Sequence, residues 1–141
     1  MDNFKIENAE GVFPDYKIIC EAEMLNVQNQ LKERFLLNKN SDLLALVEMI
    51  DSKMSIVNKC DARDDSFSLI RVMSKLEICP NEDIFINWYR FDDIDSMKIL
   101  DLDHHFSDIW YPSSDDVEIF DETLSWMISI RHDGILKFMK M

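Results

Sequence analysis

The chain has 141 residues, with 28 acidic against 15 basic side chains and a formal net charge of −13 at pH 7. Its 47% hydrophobic and 11% aromatic content is that of a folded protein, and its length fits one domain, residues 1–141. The charge excludes nucleic acid and an anionic membrane surface as partners, because phosphate would be repelled over most of the molecule.

Residues 1–12 read as a polar lead without the apolar stretch of a secretory signal. Phe13-Pro14-Asp15 predicts a turn, since Pro fixes its own φ and pushes the preceding residue out of the helical region. Tyr16 to Cys20 is short and apolar, and fits a strand or a helix start. Met24, Val27, Leu31 and Phe35 recur at spacings of three and four, which predicts an amphipathic helix ending at Asn38-Lys39-Asn40. Ser41-Asp42 supplies a cap and a first-turn acid for a second helix, whose stripe runs Leu43, Val47, Ile50, Met54 and Val57. Asn58 to Asp65 is a charged connector. Ser66 to Leu76 predicts a helix capped by Asp64 or Asp65, with a strand as the competing pattern.

Cys79-Pro80-Asn81-Glu82 is a turn, and Ile84 to Phe91 has the β-branched and aromatic content of a strand. Asp92 to Leu100 predicts a short helix with Ile94, Met97 and Leu100 on one side. Residues 112–116 are a loop and Val117 to Phe120 a brief strand. Then Leu124, Trp126, Ile128 and Ile130 alternate with Ser125, Met127, Ser129 and Arg131. Asp133-Gly134 supplies a hairpin turn, and Ile135 to Met139 returns. This pattern points Trp126, Ile128 and Ile130 at the core and Ser125, Ser129 and Arg131 at water. The expected fold is α+β: N-terminal amphipathic helices packed on one face of a small antiparallel sheet with a C-terminal β-hairpin.

Cys20, Cys60 and Cys79 are widely spaced and form no CxxC pair, which fits free thiols in a reducing cytoplasm. No apolar run approaches the ~20 residues that span a bilayer.

Thirteen carboxylates and only two basic residues, Arg90 and Lys98, lie between Glu82 and Glu122. Aromatics are threaded through this stretch. Acid steers a basic partner, and large flat side chains supply buried contact. Trp110 and Tyr111 are the expected anchors; Asp101, Asp103, Asp108, Asp115 and Asp116 are the expected charges. The competing reading places Trp110 and Tyr111 over the sheet edge and makes Asp115 a turn cap.

Catalytic patterns are absent. Ser113 and Ser114 lie outside any GxSxG, and two glycines cannot build a phosphate loop. Asp101-Leu102-Asp103-His104-His105 contains good metal-ligand types, but adjacent histidines diverge on a helix or a strand. A loop with an N-capping Asp, opening a short helix through Phe106, explains that run without metal. The expectation is a binding protein with no cofactor and no enzymatic activity.

Asp108-Ile109-Trp110-Tyr111-Pro112-Ser113-Ser114-Asp115-Asp116-Val117-Glu118-Ile119-Phe120-Asp121, with Trp126 and His132-Asp133-Gly134, resembles the C-terminal part of small bacterial immunity proteins. Such proteins accompany polymorphic or contact-dependent-inhibition toxins. The similarity covers residues 108–134, under a fifth of the chain. It implies a cytoplasmic inhibitor of one cognate toxin domain, and the charge suits a basic nuclease. Alternatives from other classes are an adaptor or regulatory subunit for another basic protein, and a metal-dependent hydrolase built on Asp101, Asp103 and His104 or His105.

Overall fold

The computed structural model describes residues 1–141. Its elements run α1 (Asn3–Asn8), β1 (Lys17–Ile18), α2 (Glu21–Arg34), α3 (Leu43–Lys53), β2 (Ser55–Asp61), α4 (Leu69–Lys75), β3 (Asp83–Asn87), β4 (Ile94–Lys98), α5 (Ile99–His104), α6 (Phe106–Ile109), β5 (Val117–Phe120), β6 (Trp126–Ile130) and β7 (Ile135–Lys140). The strands form one antiparallel sheet in the order β1-β4-β3-β5-β6-β7-β2. The fold is α+β, with the C-terminal hairpin β6–β7 inside the sheet. No helix is long and apolar enough to cross a membrane.

Pleating sends alternate side chains of each strand to opposite faces. Ile84, Ile86, Val117, Ile119, Trp126, Ile128 and Ile130 share one face with Leu69 and Met73 of α4, Leu102 of α5 and Ile109 of α6. The other face carries a row in register across four strands, Phe85, Phe120, Met127 and Met139. Val27 and Leu31 of α2 and Leu46 and Ile50 of α3 cover it. The sheet is therefore a middle layer, buried on both sides, which is why its central strands contain so few exposed residues.

Local chemistry sets the helix ends. Asp42 caps α3 by accepting from the Ala45 amide at 2.8 Å, satisfying a donor that the first turn leaves free. In α2, Glu21 and Glu23 stand in the first turn and Lys32 and Arg34 in the last, each complementing the helix dipole. Asp2 caps α1 through the Phe4 amide.

Several expectations are corrected. The polar lead contains α1. The second helix stops at Lys53, and Met54 is extended; Ile56 and Val57 belong to β2. The first half of the expected connector, 58–61, is strand, irregular in register between Ile56 and Asp61 and with Lys59 at φ 56°. Ser68 caps α4 in place of Asp64 or Asp65. The strand from Ile84 ends at Asn87, followed by a tight turn with Arg90 and Phe91 at positive φ. Asp92 to Leu100 is mostly β4, not helix. Ile94 and Met97 pack in different clusters on opposite faces, so their spacing of three is incidental, and Leu100 is exposed. Helices cover both faces of the sheet, not one. Ser129 is buried, because its face lies beside α3 and not in water.

The hairpin turn is as expected, with Gly134 at φ +89°. Its carbonyl accepts from the Ala62 amide at 2.9 Å, so the turn is closed against the end of β2. A Cβ on Gly134 would lie 2.0 Å from Asp61 Oδ1, and Arg63 holds that carboxylate through Nη2 at 2.8 Å. Gly134→Ala is expected to cost about 1–2 kcal/mol from left-handed backbone and the displaced Asp61. Urea titration checks this; an unchanged midpoint would show that the turn relaxes freely.

Candidate functional site

Seven of the thirteen carboxylates between Glu82 and Glu122 are used inside the fold. Asp121 is buried and accepts from the Asn81 amide at 3.0 Å, the Thr123 amide at 3.0 Å and the Trp126 indole at 2.9 Å, tying β5 to the start of β6. Asp95, also buried, accepts from the Trp88 indole at 2.9 Å and pairs with the Met1 amino group. Asp103 accepts from the Ser68 hydroxyl at 3.1 Å and the Ile70 amide at 3.2 Å, so it holds the N-terminus of α4. Asp108 accepts from the Glu10 amide at 3.3 Å. Asp115 accepts from the Tyr111 amide at 2.8 Å and pairs with Lys5. Asp116 accepts from the His132 amide at 2.7 Å. Partial burial raises the Asp116 pKa, but these hydrogen bonds with His132 outweigh it and hold the carboxyl below its usual range.

Glu118 is the seventh. It lies in the row Asn87, Glu118, Ser129 and Lys137, one step along from the apolar row beneath α2 and α3. Glu118 is half-buried, and its desolvation among the side chains of this row pushes its pKa up to about 7, against the opposing pull of Arg131 and a hydrogen bond from Asn87 at 3.2 Å. Asp51 of α3 reaches the same row, pairing with Arg131 at 2.9 Å and Lys137 at 3.2 Å.

The expected anchors are therefore corrected. Trp110 is 3% exposed, its indole donates to the Asp115 carbonyl at 3.1 Å, and its ring stacks on Phe106. It belongs to the core and presents no free surface. Tyr111 is half-buried and lies against Lys5. Asp103, Asp108, Asp115 and Asp116 already have partners within the chain. Of the expected residues, only Asp101 remains unpaired.

Six carboxylates of the acidic stretch are left over: Glu82, Asp83, Asp92, Asp93, Asp101 and Glu122. Four of these line one region. A groove of about 420 Å³ beside the β1–β4 edge is bordered by Asp83 of β3, Asp101 of α5 and Glu122, together with Asp15 and Glu23 from the first half of the chain. A smaller neighbouring hollow shares Asp83 and Glu122 and adds Glu82. Phe85, Tyr16, Ile19 and Met97 give the groove apolar walls. Lys17 and Lys98 are its only cations, and Lys98 is engaged with Glu82 at 2.8 Å and Asp83 at 3.8 Å. Asp15, Glu23, Asp101 and Glu122 accept no side-chain hydrogen bond and form no ion pair. The β3–β4 pairing and the short β1 create the site. Asp15, Tyr16 and Glu23 were not identifiable from the sequence, because nothing in it brings residues 15–23 beside residue 101.

Asp101-Leu102-Asp103-His104 is helical, not the expected loop. No three His, Cys, Asp or Glu side chains converge in a way that could hold a metal ion. The His104 and His105 rings stand nearly perpendicular, at 86°, and Asp103 is committed to α4. The groove offers acceptors and apolar contact, with no nucleophile–base pair. No family model matches the chain, and neither a curated protein nor a solved structure does.

Proposed function

We propose that this protein is a binding protein that neutralises a basic protein through the acidic groove, in the manner of an immunity protein blocking its toxin. The observation that supports the reading is the sorting of the carboxylates. Those the fold uses are scattered, whereas Asp83, Asp101 and Glu122 of the six left over meet Asp15 and Glu23 at one groove with apolar walls, and of these five only Asp83 has an ion-pair partner, Lys98. Unpaired acids at a rim accelerate encounter with a cationic surface, and apolar walls supply the contact that holds it. A nuclease domain suits this chemistry, because a cleft that binds phosphate must be positive. Asp101, Glu122, Asp83, Asp15 and Glu23 then meet the partner's Lys and Arg.

The test is a pull-down from the native cell with wild type and with Asp101→Lys/Glu122→Lys. Wild type is expected to recover a basic protein whose toxicity on expression is relieved by this chain. The double variant is expected to associate about tenfold more slowly, and rising salt should slow the wild type toward the same rate as screening sets in beyond about 8 Å. Recovery of no basic protein, or equal association by the variant, would overturn the reading.

A further inference from the structure

Lys5 is the one side chain of α1 that is buried, at 4% exposure. Its ammonium donates to the Ile109 carbonyl at 2.7 Å and pairs with Asp115. It also lies 4.0 Å from the centre of the Tyr111 ring and 5.1 Å from that of Trp88. Two aromatic walls, a carboxylate and a carbonyl around one ammonium are the elements by which proteins recognise alkylammonium ligands.

The segment that delivers this cation is short. α1 has six residues, too few to be stable as a helix without packing. Phe4 is 58% exposed and meets Tyr111 only edge-on. Met1 packs its side chain against the core, and the remaining ties are polar: the Glu10 amide on Asp108, and the Met1 amino group on Asp95. An arm that served only to cover the sheet would be held more strongly by an apolar side chain of similar volume, which avoids desolvating a charge.

We infer that the Trp88–Tyr111–Asp115 cage is a lysine-recognition site, filled in this structure by the chain's own Lys5, and that a lysine of a basic partner takes it by displacing α1. This rests on the reading that the protein binds a basic partner, but it concerns a different site from the groove. The acid and aromatic residues around Tyr111 and Asp115 that the sequence marks for a basic partner do receive a cation, one supplied in cis.

The experiment uses the full chain and a labelled decalysine peptide at physiological salt. Lys5→Ala is expected to bind decalysine about tenfold more tightly than wild type, since the cage no longer has an internal occupant to expel. Lys53→Ala removes the same charge from an exposed position and should show no such gain. Adding Tyr111→Leu to Lys5→Ala should abolish it. Asp101→Asn/Glu122→Gln should weaken decalysine to the same degree with or without Lys5, which reports the groove separately. Equal gains in the Lys5 and Lys53 variants, or a gain that survives Tyr111→Leu, would overturn the cage while leaving the groove standing. Should Lys5→Ala fail to fold, hydrogen exchange on wild type decides. Saturating decalysine should deprotect the amides of α1, and α1 amides that stay protected would overturn the inference.

Discussion

Trp110→Ala is expected to cost about 3–5 kcal/mol of folding stability, the range for emptying a large aromatic site in a packed core. The indole is 3% exposed, and its ring centre lies 5.6 Å from that of Phe106 at an interplanar angle of 21°. Its N–H is satisfied by the Asp115 carbonyl, so truncation also leaves that acceptor without its donor. The cavity opens in the larger core cluster beside Phe106. A chain of this size should lose about 10 °C or more of melting temperature. Urea and thermal unfolding monitored by circular dichroism measure the effect. A variant that melts with wild type would show that Trp110 sits at a surface after all. Trp110→Phe keeps most of the volume but not the donor, and should cost only the hydrogen bond, about 1 kcal/mol.

Trp110 and Tyr111 show what the sequence could and could not carry. Both are aromatic, adjacent and flanked by acid, yet one fills the core and the other receives an ammonium at its face. Residue type was legible; orientation was not, because it depends on where α6 ends, and α6 is a four-residue helix without a period. The same limit applies to the acids. Their number could be counted, but Asp121 and Asp95 are buried with donors that come from distant segments, Asn81 in one case and the Met1 amino group in the other. What was legible is the periodic part: Met24 to Phe35 as a helix, Asp42 as a cap, and Trp126, Ile128 and Ile130 buried in a hairpin. β4 was misread because Asp95 occupies an inward position where alternation requires an apolar residue. A buried carboxylate with a specific donor breaks the pattern by which strands are recognised. β2 was misread because the apolar stripe of α3 continues through Met54 and Val57, while the backbone turns extended at Met54.

Glu118→Gln should remove a pH dependence of stability that wild type shows between pH 4.5 and 7. Burial holds the Glu118 carboxyl near pKa 7 in the fold, whereas an unfolded chain releases that proton near 4.5. Within that window the native state binds a proton that the unfolded state has lost, so stability is greatest below 4.5 and declines as pH rises through 7. A shift of this size corresponds to about 2–3 kcal/mol between pH 4.5 and pH 8. Asp51, Asp61, Glu82 and Asp116, whose carboxyls are held low, are untouched by the substitution, so their contributions cancel in the difference between variant and wild type. Gln keeps the shape and can still accept from Asn87, but carries no charge to desolvate. The variant should therefore match wild type at pH 4.5 and exceed it at pH 8. The measurement is urea unfolding at both pH values, read as the difference between variant and wild type so that other titrating groups cancel. A difference that does not change with pH would mean that Glu118 is solvated well enough to ionise normally. The polar row beneath the edge of α3 would then be open to water. Should the difference grow as expected, the ionised carboxylate strains the α3 side of the sheet at neutral pH. Arg131, held by Asp51 and lowering the Glu118 pKa, would then be the residue that keeps the strain tolerable.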